Sequence, residues 1–334
     1  MMYRFQLLAC TAACAYATAV SARERYEFTD KQMGMPFKVV LYAADEASAN
    51  QAARAAFARI NRLNQIMSDY EPESELMQLC KTAGGGRAVE ISDDLFTVLT
   101  RSLELSDKSG GAFDVTVGPL IKLWRKARRT RKLPPADELA AARMRVGHRF
   151  LKLDPQRRTA ELLQPGMQLD LGGIAVGYAV DQALIVLKQQ GITSALVDGS
   201  GDIGVSGAPP GARGWKIGVA PLDPEAEPSR FLLLEHAAVT TSGDAWQFVE
   251  VEGKRYSHIV DPATGLGLTD RSSVTIVAAN CTIADSYTKA VSVLGPERGI
   301  ALIESVPGAA VLIVRAPAGK AETYESRRFA DFEK

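Results

Sequence analysis

The segment Leu169–Asp181, with the sequence LDLGGIAVGYAVD, combines an acid and a glycine pair with the start of an apolar helix. A short strand over Met167–Leu171 is predicted to contain Asp170, and Gly172 and Gly173 then open the helix. Unpaired backbone N–H groups and the positive end of the helix dipole make such a strand–helix connection a binding site for an anion. The same glycines would also permit tight packing of strand against helix, so the segment alone leaves both interpretations open.

A second group of polar residues lies on one face of a predicted helix near the C-terminus. The group consists of Asp285, Thr288, Lys289 and Ser292, which are related by helical spacings of three and four residues. The apolar Ile283, Tyr287 and Val291 are predicted to face the core. Carboxylate and hydroxyl oxygens on one helix face suit Mg²⁺, which also binds the phosphates of a substrate. The alternative is an exposed face on which Asp285 and Lys289 form an ordinary ion pair.

His258 lies in the motif SHIVDP, between a predicted strand and a proline-containing turn, and is one of 3 histidines. An imidazole is the natural base for removing a proton from a hydroxyl near neutral pH. A lone histidine on a strand is more often structural, so the sequence alone leaves this role open. We expect His148 and His236 to be surface histidines or histidines with ordinary partners.

The predicted helices have apolar residues at three- and four-residue steps. They are Ala47–Met67, a helix capped by Ser92 that ends at Gly110-Gly111, Ile174–Gln190 and the helix that carries Asp285. The predicted strands are Lys38–Tyr42, Met167–Leu171, Ser194–Val197, Trp215–Val219, Phe231–Leu234, Phe248–Val251, Tyr256–Val260, Ser273–Ala278 and Ala310–Arg315. These elements do not alternate as in a doubly wound sheet. The predicted fold class is therefore α+β, with a mixed, largely antiparallel sheet packed by helices.

The overall composition is that of an ordinary globular chain. Of 334 residues, 46% are hydrophobic and 23% are charged, and 39 basic residues balance 39 acidic ones. This balance argues against a nucleic-acid partner, which requires a clustered positive face. The basic run Arg125–Lys132 is predicted to be a solvated face, with docking to an acidic partner as the alternative. Cys80 and Cys281 are predicted to be buried free thiols.

The first residues are typical of an export signal. The apolar segment Leu7–Val20 follows a basic residue, and the small residues Val20 and Ala22 fit cleavage before Arg23. The predicted division is a signal peptide over 1–22 and one mature domain over 23–334. We therefore expect a periplasmic protein, with lipid anchoring as the weaker alternative.

Four sequence islands, in this order and spacing, resemble the ApbE family, the FAD:protein FMN transferases of bacterial envelopes. They are GAFDVTVGPL (Gly111–Leu120), LDLGGIAVGYAVD (Leu169–Asp181), YSHIVDPATG (Tyr256–Gly265) and ADSYTKAVSVLG (Ala284–Gly295). Each motif is weak by itself, whereas the ordered set is specific. The resemblance extends from Met33 to about Gly295 and implies an ApbE-like, T-fold-like single domain with FAD as its substrate.

The resemblance also implies roles for individual residues. FAD contacts fall on Met33, Tyr70, Ala112, Phe113, Asp114, Asp170, Val176 and Ile259, and the TSGD motif Thr241–Asp244 lines the same pocket. The implied Mg²⁺ ligands are Asp285, Thr288 and the main-chain carbonyl of Gly173. His258 would activate a Thr or Ser of an acceptor protein. The implied reaction attaches FMN to a redox protein of the envelope and releases AMP.

Two positions depart from the family pattern. Lys289 stands where the family usually has a Thr, and Val176 stands where it usually has a Lys or another polar residue. Because an ammonium can neutralise pyrophosphate charge, Lys289 is counted among the FAD contacts. It either reaches the phosphates or takes over part of the role of the metal. Two further interpretations stay open, a non-catalytic FAD-binding protein and a Mg²⁺-dependent FAD pyrophosphatase.

Overall fold

The computed structural model describes residues 23–223, 225–243 and 248–333. The predicted signal peptide 1–22 and Asp244 of the TSGD motif lie outside the described residues. Among the helices of the described segments, none is both long enough and apolar enough to cross a membrane.

The described residues form helices and strands in an irregular order along the chain. The helices are α1 (Glu46–Met67), α2 (Glu75–Lys81), α3 (Asp93–Lys108), α4 (Gly118–Thr130), α5 (Ala136–Arg143), α6 (Ala175–Gln189) and α7 (Cys281–Glu304). The strands are β1 (Glu24–Gln32), β2 (Met35–Ala43), β3 (Val89–Glu90), β4 (Leu151–Asp154), β5 (Thr159–Leu162), β6 (Ala195–Gly199), β7 (Asp202–Val205), β8 (Trp215–Gly218), β9 (Phe231–Leu234), β10 (Ala237–Gly243), β11 (Phe248–Val251), β12 (Lys254–Ser257), β13 (Ser272–Ala278), β14 (Ala310–Arg315) and β15 (Glu322–Glu325).

The main sheet has eight strands in the order β1-β2-β6-β7-β10-β13-β14-β15. Each neighbouring pair in it is antiparallel. Smaller antiparallel sheets are formed by β3-β5-β4, by β8-β9 and by β11-β12. The predicted α+β class with a largely antiparallel sheet is therefore confirmed.

Side chains on the two faces of the main sheet pack into two different apolar clusters. In β2, Val39 and Leu41 join the cluster that contains the buried faces of α1, α3, α6 and α7. The intervening Val40 joins the cluster on the opposite face, which includes Trp215 and Phe329. Successive residues of a strand point to opposite faces, so an almost continuous apolar strand such as β2 is buried on both.

The predicted helices α1, α3, α6 and α7 are confirmed, as is the Ser92 cap, whose hydroxyl accepts from the Leu95 N–H. The predicted strand Met167–Leu171 is wrong. Gln168 forms only an isolated bridge with Val117, and the Asp170 N–H donates to the Val115 carbonyl at 2.8 Å. Hydrophobic content suggested a strand here, but the available backbone partner is the irregular 112–117 loop, and no regular ladder forms.

Helix α7 is buried on both sides around Asp285, which disagrees with the alternative of an exposed polar face. Asp285 and Thr288 are each 0% exposed, while Tyr287 and Val291 on the apolar side are also buried. The helix packs against β10, β13 and α6. The crossing with α6 is close at Gly177, where a Cβ would lie 2.4 Å from the Cys281 carbonyl oxygen. Only glycine fits there, so Gly177 permits the contact that brings α7 beside the start of α6.

Candidate active site

One cavity of about 810 Å³ collects residues from all four sequence islands. Of the residues implied to bind FAD, to catalyse transfer or to hold a metal, those that line it are Met33, Tyr70, Ala112, Phe113, Asp114, Asp170, Gly173, Val176, His258, Ile259 and Lys289. Asp285 and Thr288, two of the three implied metal ligands, lie behind this wall and do not line it. The volume falls within the usual range for a small-molecule or cofactor site.

Met33 reaches the cavity from the turn that joins β1 to β2. Met33 and Gly34 have φ values of 50° and 81°, the combination that a two-residue hairpin of type I′ requires. The Met33 side chain is partly buried and packs against the main apolar cluster. The turn therefore presents main-chain groups and an apolar side chain at one end of the cavity.

Tyr70 follows the end of α1 and is 72% exposed, the highest value at this site among the large apolar or aromatic residues. The Arg125 guanidinium lies 4.3 Å from the centre of its ring. Arg125 also pairs with Asp69 and, at 3.0 Å, with Asp170. Burial raises the pKa of Asp170, Asp69 adds to that shift, and Arg125 opposes it. Arg125 thus links the exposed ring to the acid of the LDLGG segment.

Arg125 and Arg128 line the cavity, which corrects the interpretation of Arg125–Lys132 as only a solvated face. Both residues lie on α4, three positions apart, whereas Arg129 is exposed and does not line the cavity. The basic run by itself did not distinguish them. A helical wheel over Gly118–Thr130 would have placed Arg128 one turn after the buried Trp124, at the edge of the apolar face.

Asp114 organises the loop that follows α3. Its carboxylate accepts from the Thr116 N–H (2.8 Å), the Thr116 hydroxyl (2.6 Å) and the His148 N–H (2.8 Å). The His148 ring also lies 3.6 Å from Asp114, and this contact raises the pKa of His148 although burial opposes the shift. The same loop carries Ala112 and Phe113 to the cavity, so Asp114 fixes main-chain groups at the cavity wall.

The start of α6 opens directly on the cavity through Gly172, Gly173, Ala175 and Val176. Asp170 accepts from the Gly172 N–H at 2.9 Å and so fixes the turn before the helix. No side chain caps this helix end. The positive end of the helix dipole therefore faces a cavity, and the anion site at this helix start stays a prediction.

His258 lies immediately after β12, is half-buried and lines the cavity. Several hydrogen bonds fix the segment after it, among them the following two. Asp261 accepts from the Ala263 N–H at 2.9 Å, and Trp124 Nε1 donates to the Gly265 carbonyl at 2.8 Å. The imidazole therefore lies on the cavity wall beside Ile259, next to a turn that hydrogen bonds fix in place.

Lys289 connects the cavity with the buried acid of α7. Its Nζ donates to Asp285 Oδ1 at 2.6 Å and to Ser242 Oγ at 2.7 Å. The second carboxylate oxygen of Asp285 accepts from the Gly177 N–H at 3.1 Å. Burial lowers the pKa of Lys289, but Asp285 and Asp202 more than offset it, so this pKa lies above its ordinary value.

The three groups implied to bind Mg²⁺ do not form a site for it in this arrangement. Asp285 is engaged by the Lys289 ammonium and the Gly177 N–H, and the Thr288 hydroxyl donates to the Asp285 carbonyl at 2.6 Å. Thr288 is also hydrogen-bonded to Ser242 at 2.7 Å. In the described part of the chain, no group of three or more His, Cys, Asp or Glu side chains is placed to hold a metal ion. The metal ligand set stays a prediction that these contacts do not support.

Asp202 and Ser242 belong to the same region and were missed as individual residues by the sequence analysis. Both line the cavity, at the start of β7 and near the end of β10. Burial and the nearby Asp285 raise the pKa of Asp202 to about 8, although Lys289 and Thr240 oppose this shift. In the sequence, the segment Asp198–Asp202 has an acid at each end and glycines between them. This pattern was the signal available for predicting Asp202.

The ApbE family model matches residues 33–313 of this chain. Two curated relatives called FAD:protein FMN transferase come from Klebsiella pneumoniae and Treponema pallidum. The first is 30% identical, with 90% of this chain and 87% of the relative covered, and the second is 32% identical, with 95% and 94% covered.

Solved structures agree with the sequence comparison. The apo form of the Pseudomonas stutzeri flavinyl transferase ApbE is 28% identical with a TM-score of 0.82, and the alignment covers 94% of this chain and 98% of that one. The flavin transferase ApbE from Vibrio cholerae is 29% identical, also with a TM-score of 0.82, and the coverage is 93% and 99%. The ordered motifs, the antiparallel fold and the shared cavity agree with these matches, and the chain belongs to the ApbE family.

Proposed function

We propose that this protein is an FAD:protein FMN transferase that acts in the periplasm. The observation that carries the proposal is the shared cavity, in which His258, the start of α6 and the FAD contacts implied by the family resemblance lie together. Those residues come from positions 33 to 289 of the chain. The curated relatives from Klebsiella pneumoniae and Treponema pallidum carry the name of this activity.

The chemistry of the cavity walls supports FAD as the ligand. The isoalloxazine ring lies toward Met33 and Tyr70, because an exposed aromatic ring stacks on a flat π-system without needing a particular hydrogen-bond pattern. The pyrophosphate lies at the start of α6, where main-chain N–H groups and the helix dipole favour an anion. Arg125, Arg128 and Lys289 add positive charge to the same cavity.

The reaction is a phosphoryl-group transfer with a simple balance. The hydroxyl oxygen of a Thr or Ser on the acceptor forms a bond to the phosphorus on the FMN side of FAD. The bond from that phosphorus to the bridging oxygen breaks, and AMP leaves with the bridging oxygen. His258 takes the proton of the attacking hydroxyl. FMN then remains on the acceptor through a phosphoester.

The acceptor is a redox protein of the envelope, and the predicted signal peptide 1–22 supports a periplasmic meeting place. No step is assigned to Mg²⁺, because Asp285 and Thr288 are engaged by other protein groups. The substitution of Lys289 and Val176 for the usual family residues makes two other activities worth testing. These are FAD binding without transfer and hydrolysis of the FAD pyrophosphate by water.

Incubation of the purified protein with FAD and an acceptor domain tests the proposal. The domain should carry a DxxT/S-GA-T/S-like motif, and intact mass spectrometry should show it gaining FMN while AMP appears in solution. Replacing the acceptor Thr or Ser by Ala is the matched control and should abolish the mass gain. Release of FMN and AMP without an acceptor would identify a pyrophosphatase, and FAD binding with no product would identify a binding protein.

A further inference from the structure

The side chain of Lys289 runs from α7 across the glycine pair at the start of α6. A Cβ placed on Gly173 would lie 3.2 Å from Lys289 Cγ and 3.6 Å from its Cε. The methylene chain therefore lies directly against Gly173, and it ends at the carboxylate of Asp285. Lys289 thus lies between Gly173 and Asp285, two of the groups from which the family resemblance derives a metal site.

The contacts of the ammonium are those of a held cation. Asp285 Oδ1 and Ser242 Oγ accept from Nζ at 2.6 and 2.7 Å. A lysine ammonium has three N–H donors, so these contacts with described residues leave one for a ligand in the cavity that Lys289 lines. A phosphate oxygen at the start of α6 would suit that donor.

A divalent cation would compete with this arrangement. Mg²⁺ binds oxygen ligands at about 2.0–2.1 Å in octahedral geometry and would need the same Asp285 oxygen. It would then lie beside the Lys289 ammonium, and two cations at that distance repel each other strongly in a partly buried site. Thr288 offers no replacement, because its hydroxyl is used by the Asp285 carbonyl and by Ser242.

We propose that the ammonium of Lys289 is a built-in cation that replaces Mg²⁺ at the FAD pyrophosphate. This inference rests on the proposed transfer function and adds that FAD binding and FMN transfer need no divalent metal. During transfer, the remaining N–H stabilises the charge on the phosphoryl oxygens while the new P–O bond forms and the bond to AMP breaks. Lys289 keeps its proton, and the proton of the attacking hydroxyl goes to His258.

The first test uses the unaltered protein and needs no variant. FAD affinity is measured by flavin fluorescence in excess EDTA and in excess MgCl₂, and transfer to the acceptor domain is followed under both conditions. We expect FAD affinity and transfer rate each to agree between the two conditions. Calorimetric titration of MgCl₂ into the FAD-free protein should show no saturable binding.

The second test changes the cation itself. Lys289→Thr restores the residue type usual for the family, so it should lose FAD affinity in EDTA and regain it with MgCl₂, and a calorimetric Mg²⁺ signal should appear. Lys289→Met keeps the length of the stem without the charge, and it should lower the transfer rate in EDTA by about 100-fold, the usual cost of losing one stabilising donor. Lys188→Thr, at an exposed position of α6, is the matched control and should behave as the parent.

The two proposals fail in different ways. Loss of FAD binding or transfer by the parent in EDTA, with recovery on adding MgCl₂, would overturn the role of Lys289. The role of Lys289 would also be overturned if FAD affinity and transfer rate depended on the MgCl₂ concentration in the same way in the parent and in Lys289→Thr. A parent that binds FAD equally well in EDTA and MgCl₂ but never modifies an acceptor would contradict the transferase function and leave the built-in cation supported.

Discussion

The guanidinium of Arg125 lies 4.3 Å from the centre of the Tyr70 ring and at the same time 3.0 Å from the Asp170 carboxylate. Tyr70 lies in the segment after α1, Arg125 in the middle of α4 and Asp170 in the segment before α6. A cation that stacks on an aromatic ring and pairs with an acid holds both in place, which prepares the cavity rim for a planar ligand.

Arg125→Ala should weaken FAD binding by about tenfold, because the cation–π contact is worth about 1 kcal/mol and Asp170 loses its charge partner. Fluorescence titration with FAD measures the change. Arg129→Ala, on the exposed side of the same helix, is the control and should leave the affinity unaltered. Equal effects of both substitutions would point to general electrostatic attraction by the basic run.

Tyr70→Ala should lower FAD affinity by at least about tenfold, because stacking of a planar ring is worth about 1–3 kcal/mol. The 72% exposed side chain contributes little to the core, so the melting temperature should remain that of the parent. Tyr70→Phe retains the ring and is expected to bind FAD nearly as well as the parent. A large loss in Tyr70→Phe would mean that the hydroxyl, and not the ring face, makes the contact.

His258→Ala should reduce FMN transfer by about 100-fold or more while FAD affinity stays nearly unchanged. Proton removal matters in the transition state and not in the ground-state complex, which is the reason for this separation. Transfer rates by intact mass and affinities by fluorescence test both halves of the expectation. A folded His258→Ala protein that transfers FMN at the parental rate would remove His258 from the mechanism.

The contact between His148 and Asp114 should make stability depend on pH. Because Asp114 raises the folded-state pKa of His148, its contribution is fully present below about pH 6.5 and is lost as pH rises through the folded value. The contact joins the partly exposed His148 to the buried Asp114 and is worth about 1 kcal/mol. Urea unfolding of the parent and His148→Gln across that pH range should show the stability advantage of the parent shrinking as pH increases, and a constant difference would contradict this.

Asp181 should stabilise the start of α7. Its carboxylate accepts from the Cys281 N–H at 2.7 Å and the Thr282 N–H at 2.9 Å. Asp181→Ala leaves these buried donors without that acceptor, so the free energy of unfolding should fall by about 2 kcal/mol. Asp181→Asn keeps one acceptor oxygen, so its free energy of unfolding should fall by less than that of Asp181→Ala. Urea titration measures both values. Equal losses for both variants would mean that the negative charge at the helix start is the main contribution.

Sequence patterns were sufficient for features that depend on neighbouring residues. The apolar steps of α1 and α3 and the Ser92 cap lie within a few positions of each other, and the structure confirms them. The pattern was misleading at Met167–Leu171, because an apolar run forms a strand only where a second strand offers a regular set of partners. Whether such a second strand lies beside the run depends on the tertiary fold.

Residues that share the cavity were also predictable, because the ordered motifs resemble those of a known family. The surroundings of Lys289 were not. Its spacing from Asp285 fitted both a metal-binding face and an exposed ion pair, and the structure shows a third case in which the pair is buried against Gly173 and Ser242. Helical spacing determines which side chains meet on one helix, whereas the burial and remaining partners of a charged pair depend on strands and loops brought together by tertiary packing. For that reason the sequence predicted many of the residues that line the cavity, and only the tertiary structure decided which cation pairs with Asp285.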